Sequence, residues 1–432
     1  MSKKAAKKGE KQVSISGGMW VAMQQLALPM FVASDAIQKG LLAFVQQMGL
    51  LALSEMLAAD AEGIAGPKGR HAPDRAYNHW GSARTPLPFG GRQVVVERPR
   101  VRRRGKGGKE VELPTIEALR QADPMPARVA EQVVVGVSTR GYARSLERVD
   151  DQLEPRGTSK SNVSRALIER TSDKVAEFLN RKLDALDIVA MYIDGIEIAK
   201  HAVVIALAVT SDGTKVPLGV WSGSTENAVL TTALLQNLLE RGLRVDAPML
   251  FVIDGGKGIR KALHDVFGDR AVVQRCRVHK LRNVREHLPE ERRAYVARQM
   301  HDAYKSKNAS TAKKKLQQLA AWLEANGEQS AAASLREGLD ETLTVLRLGL
   351  PEVLSRAFAT TNAIENMNAT LRRVLRNVKR WRGEGMIQRW VALGIAEAQR
   401  GFRRVKGYQK MPALVAALRP NAATVVEERK VA

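Results

Sequence analysis

Three acidic side chains in separate parts of the chain suggest metal-dependent chemistry. Asp194 and Asp254 each end a short apolar run, as residues at the tip of a buried strand do, and Glu365 stands at the start of a basic helical segment. Carboxylates that meet beside a sheet can bind two Mg²⁺ ions, which activate the attacking oxygen and stabilise the leaving oxygen of a phosphodiester. We therefore expect these three acids to be both catalytic residues and metal ligands, for two Mg²⁺ ions, with Mn²⁺ as an effective substitute.

Each acid also has a purely structural interpretation. Both aspartates precede a glycine, and Asp-Gly is a common turn dipeptide. Their position after strands that should lie side by side favours a cation, because two carboxylates there would repel each other. Glu365 lies three residues after Asn362, the spacing of a capping box. The residues that follow Glu365 argue against a purely capping role. Asn368, Arg372 and Arg376 lie on or near the same helical face as Glu365, which suits a metal ion next to a phosphate backbone.

The elements that must hold the acids follow the order of an RNase H-like α/β fold. Periodicity predicts three strands in a meander, with a hairpin turn at Ser211-Asp-Gly213, and then helix, strand, helix and strand. Their bounds are residues 188–193, 202–210, 216–221, 227–242, 249–253, 258–267 and 271–274. The fully apolar run at 249–253 is typical of a central parallel strand. We therefore expect a mixed sheet with flanking helices, and an all-α insertion at about 280–355.

A helix-turn-helix is predicted before the sheet. Residues 128–137 and 138–148 favour two helices, and a third begins after Ser159, a capping serine, with Val163, Leu167 and Ile168 directed inward. Small polar and basic residues at the start of this third helix are what a recognition helix presents to the major groove. Those expected to bind DNA are Lys160, Asn162 and Arg165. The alternative is an ordinary helical connector.

A second candidate DNA contact lies in a segment rich in glycine, proline and arginine, residues 63–114. One short strand is predicted there, at 94–96, and the basic run at 98–109 is interpreted as a flexible patch that contacts the phosphate backbone. A solvated loop is the alternative. The arginines assigned to this contact are Arg98, Arg100, Arg102, Arg103 and Arg104.

The charge of the whole chain favours a polyanionic partner. Lys and Arg number 69 against 45 Asp and Glu, for a formal net charge of +24, which favours binding to phosphates with release of counterions. Residues 372–410 carry many basic side chains opposed by only Glu384 and Glu397, so this stretch, including Arg372, Arg373 and Arg376, is interpreted as a DNA surface. Double-stranded DNA is the expected partner. A merely soluble basic protein, or a ribosome-associated one, is the alternative.

Composition also indicates the cellular compartment. The single cysteine, Cys276, excludes an intramolecular disulfide and indicates a reducing interior. No stretch reaches the roughly 18 uncharged apolar residues that a membrane span needs, and residues 41–57 come closest. We therefore expect a cytoplasmic protein with no membrane partner.

Three further sequence features bear on cofactors and on DNA contacts. The sequence Gly255-Gly-Lys-Gly258 lacks the spacing of a phosphate-binding loop, so no nucleotide cofactor is expected, and Lys257 is assigned to DNA. In Cys276-Arg-Val-His279, two ligands are too few for zinc, which takes four, so a structural or DNA-positioning role is expected for His279. Trp322 is interpreted as a core or interface residue, with base stacking as the alternative.

These pieces together resemble the IS256/Mutator family of transposases. The likeness is closest over residues 238–289 and 358–398, and its specific motifs are residues 252–258, 273–283 and 360–368. The resemblance implies an RNase H-like catalytic domain with an α-helical insertion and a DDE triad of Asp194, Asp254 and Glu365. It also makes Cys276 and His279 the family's C-x-x-H motif, and Asn283, in the same motif, is assigned to DNA. The glycine-rich run at 98–109 and residues 355–359 depart from the family pattern.

The function expected from the resemblance is DNA transposition. The protein would bind the terminal inverted repeats of an insertion sequence, cleave phosphodiesters and join the freed 3′-hydroxyl to a second site. Because two ends must be joined, a homodimer or larger homo-oligomer is expected. The alternatives are a structure-selective nuclease on the same fold and a non-catalytic, transposase-derived DNA-binding protein.

The sequence predicts five segments with different tasks. They are a basic arm at 1–18, a DNA-binding or oligomerisation region at 19–120 beginning with two helices, the helix-turn-helix-like domain at 121–180, the catalytic domain at 181–400 and a basic C-terminal tail at 401–432.

Overall fold

The computed structural model describes residues 40–70, 74–149, 153–198, 200–223, 228–376 and 378–420, with only the backbone at 173 and 174. They pack as two compact units. The first extends to Val133 and includes Val137–Glu169, and the second comprises Val134–Gly136 and the chain from Arg170 onward. The first unit thus joins segments that the sequence analysis had separated at residue 120. The predicted basic arm at 1–18 and the first predicted helix lie outside the described residues.

The first unit is built on a long β-hairpin covered by helices. Its elements are α1 (Leu41–Ala65), β1 (Tyr77–Phe89), β2 (Arg92–Arg103), β3 (Glu110–Val111), α2 (Pro114–Gln121), α3 (Met125–Val134) and β4 (Pro155–Arg156). The strands β1 and β2 pair antiparallel around Gly90 and Gly91, which both have positive φ. Among the described residues, α1 is the helix long and apolar enough to cross a membrane. Its residues Leu57 and Ala61 pack in the core of this unit, while only 11% of its most apolar 18-residue window is buried.

The hairpin replaces the flexible segment expected at residues 63–114. Its prolines had pointed to irregular structure, but Pro86 and Pro88 lie on β1, an edge strand where a missing N–H is tolerated. Pro99, on β2, pairs with Ser82 directly after a register shift in β1, and such irregularities also accept proline. The basic run therefore begins in a regular strand, with Val94 and Val101 buried beside it.

The middle helix of the predicted helix-turn-helix is not formed in the described residues 138–148. Only a 3₁₀ turn, Tyr142–Ser145, occupies the place of the second predicted helix, and Tyr142 is buried with its hydroxyl donating to the Gly91 carbonyl at 2.7 Å. The third helix, α4 (Lys160–Asn180), is capped as expected, because the Ser159 hydroxyl accepts the Asn162 N–H at 3.3 Å. Val163 and Leu167 are buried, but Ile168 is 41% exposed, so its inward assignment was wrong. The helix-turn-helix itself stays a prediction.

The second unit contains a mixed five-stranded sheet. Its elements are β5 (Ile188–Ile198), β6 (His201–Thr210), β7 (Lys215–Gly223), α5 (Ala228–Glu240), β8 (Met249–Ile253), α6 (Lys257–Phe267) and β9 (Ala271–Arg275). The strand order is β7-β6-β5-β8-β9, in which β5, β6 and β7 pair antiparallel while β8 and β9 extend the sheet in parallel. The predicted order of elements, and with it a mixed α/β sheet, is confirmed.

Alternating side chains of the sheet fill two cores. On β5, Tyr192 joins one core while its neighbours Met191 and Ile193 join the other, as the two-residue period of a strand requires. The second core holds residues of α5 and α6, such as Leu234 and Leu263. The first core holds the helices that follow the insertion. Burial on both faces explains the long apolar runs in these strands, such as residues 202–209 of β6.

An all-helical segment separates β9 from the last helices of the unit. It contains α7 (Arg277–Glu286), α8 (Glu290–Tyr304), α9 (Ala309–Ala325), α10 (Gln329–Arg336), α11 (Thr344–Arg347) and α12 (Glu352–Phe358). It has its own core, against which Trp322 packs, with its ring centroid 4.8 Å from that of Tyr295. The helical character predicted for about 280–355 is confirmed, and Trp322 has the packing role expected of it.

The described part of the second unit ends in helices that cover the sheet. They are α13 (Asn362–Leu375), α14 (Glu384–Arg400) and α15 (Met411–Leu418). Met411, Leu414 and Leu418 are buried in the same core as Tyr192 of β5. Residues 401–418 are therefore part of the folded unit, which corrects the expectation of a basic tail from 401; residues 421–432 lie outside the described part.

Candidate active site

The two aspartates directly follow the last paired residues of two neighbouring parallel strands, β5 and β8. The parallel pairing of β5 with β8 ends at Ile193 and Ile253, and Asp194 and Asp254 are the next residues. Asp194 is not at the tip of its strand, as the sequence suggested, because β5 continues to Ile198 and pairs Asp194 with Ile205 of β6. It marks instead the point where the parallel ladder ends. Carboxyl ends of parallel strands are where ligands bind in open α/β sheets.

A tight turn fixes the Asp254 carboxylate. Its Oδ1 accepts the Gly256 N–H at 2.8 Å. Gly255 has φ +106°, and a Cβ there would lie 2.0 Å from Nε of Arg275. Residue 255 must therefore be glycine for both backbone and steric reasons, and the Asp-Gly-Gly turn keeps the carboxylate at the end of β8.

Helix α13 contacts Asp194 through an asparagine. Nδ2 of Asn368 donates to Oδ2 of Asp194 at 2.7 Å, across 174 positions of sequence. Asn368 is only 1% exposed, so the DNA contact assigned to it is replaced by this internal one. Its Oδ1 is buried and has no hydrogen-bond partner among the described residues.

Glu365 lies one helical turn before Asn368 on α13. The residue before the helix is Thr361, and the described residues show no side-chain capping bond at this helix start. The Asn362 capping box, the structural alternative for Glu365, is therefore not formed. The Glu365 carboxylate accepts the Thr361 hydroxyl instead. Its Oε1 is 3.7 Å from Nδ1 of His279.

The C-x-x-H motif lies directly against this glutamate. The fully buried Cys276 precedes α7, and its Sγ accepts the Thr361 N–H at 3.4 Å. Burial raises the pKa of the Cys276 thiol, but hydrogen bonds with His279 and Thr361 outweigh it, and the net pKa is lowered. The hydrogen bond with Cys276 raises the pKa of His279, burial opposes this, and the charges of Cys276, Glu365 and Asp254 add to the rise.

One set of three potential metal ligands is closely packed here. Among the described residues, ligand atoms of Cys276, His279 and Glu365 lie within 4.8 Å of one another. The three carboxylates do not form such a set. The hydrogen bond from Asn368 connects α13 to Asp194, and the negative charges of Glu365 and Asp254 both contribute to the raised pKa of His279.

The basic residues predicted near the site lie on its helices. Lys257 is exposed at the first position of α6, and Asn283 is half-buried on α7. Arg372 and Arg373 are exposed on α13, and Arg376 follows that helix. Arg373 forms an ion pair with Glu397 at 3.3 Å.

The basic residues predicted in the first unit are partly neutralised. Arg98 and Arg100 both bind the carboxylate of Glu110 at 2.7 Å. Arg102 lies 5.2 Å from the ring centroid of Trp80 and donates to the Gly108 carbonyl.

The remaining members of this set are exposed or half-buried. Arg103 and Arg104 are exposed after the paired arginines, and on α4 Lys160 and Arg165 are exposed while Asn162 accepts a hydrogen bond from Arg165. The structure therefore divides the predicted phosphate contacts into arginines with internal partners and arginines on the surface.

Thr361 is the site residue that the sequence analysis missed. It lies within the motif at 360–368, but no role was predicted for it. A hydroxyl four residues before an acid, at a helix start, is the signal that could have identified it, because such residues are neighbours on a helical face.

Comparison with known proteins gives consistent matches. The family model described as "Transposase, Mutator family" matches residues 79–404. The transposase for insertion sequence element ISRM5 of Rhizobium meliloti is 28% identical over 336 residues, 74% of this chain and 79% of the relative. That for ISRM3 of the same species is 28% identical over 247 residues, 55% of this chain and 60% of the relative. The transposase for IS256 in transposon Tn4001 of Staphylococcus aureus is 26% identical over 263 residues, 59% of this chain and 65% of the relative. The chain therefore spans less than two thirds of the ISRM3 and IS256 relatives.

Proposed function

The chain belongs to the Mutator family of transposases, and from that premise we propose that it is a metal-dependent enzyme that cleaves the ends of an insertion sequence and joins them to a second DNA site. The observation that carries this proposal is the docking of α13. The Asn368–Asp194 hydrogen bond holds the helix that bears Glu365 against the sheet edge that bears Asp194 and Asp254.

The topology of the sheet supports an RNase H-like catalytic core. A three-strand antiparallel meander followed by two parallel strands, in the order β7-β6-β5-β8-β9, puts the first acid on the central strand and the second on its parallel neighbour. The third acid comes from a helix after an all-α insertion. This is the arrangement that the sequence resemblance implied.

The donor set fits Mg²⁺. Asp194, Asp254 and Glu365 supply hard carboxylate oxygens, and the buried Oδ1 of Asn368, without a partner among the described residues, adds an amide oxygen beside Asp194. Oxygen ligands of this kind suit Mg²⁺ and Mn²⁺ better than soft metals. When bound, such ions would supply activation of the attacking oxygen and stabilisation of the leaving oxygen.

The protein's own side chains have separate tasks in this proposal. Asn368 orients Asp194, and the Asp-Gly-Gly turn orients Asp254, so neither carboxylate has to reorganise before reaction. The hydrogen bond with Cys276 raises the pKa of His279, and Nδ1 of His279 lies 3.7 Å from Oε1 of Glu365. A protonated imidazole at this position would reduce repulsion among the three acids. The exposed Lys257 and Arg372 bind DNA phosphates near the cleavage site.

The test uses the full-length protein and labelled DNA that carries the element's ends. We expect the wild type to nick and join these ends with Mg²⁺ but not with EDTA. Asp194→Asn should bind the DNA about as well as wild type and lose cleavage by roughly 100- to 1,000-fold, because it removes a charge from the reacting centre. Mg²⁺-dependent cleavage that persists in Asp194→Asn would overturn the assignment.

Asp212→Asn is the matched control. Asp212 also precedes a glycine, but it lies in the β6–β7 turn, where its carboxylate accepts hydrogen bonds from Thr214. Its cleavage rate should stay near that of the wild type. Cleavage of branched DNA regardless of end sequence would instead favour a structure-selective nuclease. Binding without any cleavage would favour a non-catalytic DNA-binding protein.

A further inference from the structure

A buried threonine lies at the centre of the contacts around Glu365. Thr361 is 0% exposed. Its hydroxyl oxygen lies 3.3 Å from Sγ of Cys276 and 3.3 Å from Nδ1 of His279, and it also hydrogen-bonds to Glu365. Three chemically active side chains thus meet at one hydroxyl that the proposed mechanism has not used.

The position of the hydroxyl proton follows from the chemistry of its neighbours. An ionised carboxylate only accepts hydrogen bonds, and a threonine hydroxyl has one hydrogen to donate. The Thr361 hydroxyl lies within donating distance of both Glu365 and Sγ of Cys276. The ionised carboxylate is the stronger acceptor, so the hydrogen is directed to Glu365, and a lone pair of the oxygen faces His279. In this arrangement the Cys276 sulfur holds the Thr361 backbone through its N–H, His279 contacts the hydroxyl, and the hydroxyl fixes the carboxylate.

The same contacts connect Glu365 to the second aspartate. The Cys276 N–H donates to the carbonyl of Ile253 at 2.8 Å, and Ile253 is the residue before Asp254. The Thr361 N–H in turn donates to Sγ of Cys276 at 3.4 Å. A short path of hydrogen bonds therefore runs from the end of β8 to the start of α13, and it joins the two acids that come from distant parts of the chain.

From these contacts we propose that Thr361 is a positioning residue, which holds the Glu365 carboxylate in place for the catalytic metal ions, with Cys276 and His279 as its anchors. The inference rests on the proposed function, in which Glu365 is a metal ligand. A free Glu365 side chain, 41% exposed, would sample several rotamers. A hydrogen bond from a buried, doubly anchored hydroxyl selects one of them.

A metal ion bound by Cys276, His279 and Glu365 is the competing explanation of the cluster. Zinc would have to lie about 2.0–2.3 Å from each ligand atom. The Thr361 oxygen already lies between these atoms, at hydrogen-bond distance from all three. The ordered hydroxyl therefore favours the hydrogen-bonded cluster over a zinc site.

The test compares Thr361→Val with Thr361→Ser. Valine keeps the shape but removes the hydroxyl, whereas serine keeps the hydroxyl. The measurement is Mn²⁺ binding, followed by electron paramagnetic resonance, together with the Mg²⁺ concentration that gives half-maximal cleavage. We expect Thr361→Val to weaken both by roughly 10- to 100-fold, as loss of an outer hydrogen bond to a metal ligand does, and Thr361→Ser to stay within about twofold of wild type.

Thr344→Val is the matched control for loss of a buried hydroxyl. The Thr344 hydroxyl donates to the Val273 carbonyl at 2.6 Å and touches none of the three acids. We expect a lower melting temperature and unchanged metal dependence. If Thr361→Val likewise lowers only the melting temperature, Thr361 is merely structural and the proposal is wrong.

Two further outcomes are decisive. If Thr361→Val does not fold, Cys276→Ala takes its place, and a Mn²⁺ affinity equal to that of wild type contradicts the proposal. If Co²⁺ gives a thiolate charge-transfer band that Cys276→Ser abolishes, the cluster is a metal site and the positioning role fails. Should the wild type not cleave DNA, the proposed function fails, but the Mn²⁺ titrations still test the role of Thr361.

Discussion

Helix α13 and strand β2 both carry arginines, but they use their polar residues in opposite ways. Around α13, Thr361 and Asn368 are buried, and each donates a hydrogen bond to a candidate catalytic acid. On β2, Arg98 and Arg100 share the surface carboxylate of Glu110. The difference is the burial of the donors, because Thr361 and Asn368 are at most 1% exposed, whereas the side chains of Arg98 and Arg100 are 17% and 34% exposed. A hydrogen bond to an ionised group is hard to replace where water is excluded, whereas a surface ion pair contributes about 0–1 kcal/mol.

Substitutions around α13 should therefore change catalysis greatly, and substitutions on β2 should change DNA affinity and stability only slightly. This contrast would be lost if β2 variants abolished cleavage or if α13 variants left it intact.

The largest effect is expected for Glu365→Gln. Removal of its charge should lower cleavage by roughly 100- to 1,000-fold while DNA binding is retained, because the charge acts at the reacting centre. Glu397→Gln, which alters a surface pairing with Arg373, is the control and should cleave nearly normally. Equal losses in both variants would remove Glu365 from the catalytic site. A cleavage assay with labelled element ends measures both.

Asn368→Ala should have the next largest effect. It removes the hydrogen bond that orients Asp194. We therefore expect half-maximal cleavage to need a roughly 10- to 100-fold higher Mg²⁺ concentration. Asn366→Ala, on the exposed side of the same helix, tests the specificity of this loss. The Mg²⁺ dependence of cleavage distinguishes them, and identical curves for the two variants would show that Asn368 does not act on Asp194.

On β2 a smaller effect is expected, and it concerns DNA affinity. Arg103 is exposed, whereas Arg100 is paired with Glu110. Arg103→Ala should weaken binding uniformly across DNA sequences and reduce the slope of log affinity against log salt by about 1. Arg100→Ala should reduce that slope by less. Fluorescence anisotropy over a salt series gives both slopes, and a larger change for Arg100 would contradict the assigned pairing.

The smallest effect is the pH dependence of the Glu110 pair. Hydrogen bonds from Arg100 and then Arg98 lower the pKa of Glu110 below its ordinary value. A carboxyl whose pKa is lowered in the folded state stabilises the protein above its unfolded pKa, and this contribution is lost as pH falls through the folded pKa. Glu110→Gln should therefore cost less than about 1 kcal/mol at neutral pH and nothing once the carboxyl is protonated. Urea denaturation at neutral and acidic pH measures this difference, and a pH-independent cost would contradict the pairing.

The sequence predicted the sheet better than it predicted contacts between distant segments. The bounds of β8, residues 249–253, are those expected, because an uninterrupted apolar run has few alternatives to a buried strand. The β1–β2 hairpin was missed, since the prolines that suggested a loop are accommodated at an edge and beside a register shift. A local sequence pattern does not show that a proline will lie on an edge strand or beside a register shift, where it is accommodated.

The site shows the same limit. Residue type and position after a strand led to the prediction of Asp194 and Asp254. Glu365 was predicted from the arginine face of its helix and from the family motif, and the catalytic role of all three stays a prediction. The buried roles of Asn368 and Thr361 depend on partners 174 and 85 positions away, which no local period reveals. The predicted burial of Ile168 was wrong for a related reason, because helical spacing alone does not decide which face of α4 is covered.

The central claim is that Asp194, Asp254 and Glu365 hold metal ions at one site. Replacement of Mg²⁺ by Fe²⁺ with ascorbate and peroxide tests it directly, because hydroxyl radicals cut the protein backbone next to bound iron, and mass spectrometry locates the cuts. We expect cuts beside residues 194, 254 and 365 that excess Mg²⁺ suppresses and that are lost in Asp194→Asn. Cuts confined to residues 276–279, or cuts unaffected by Asp194→Asn, would contradict the claim.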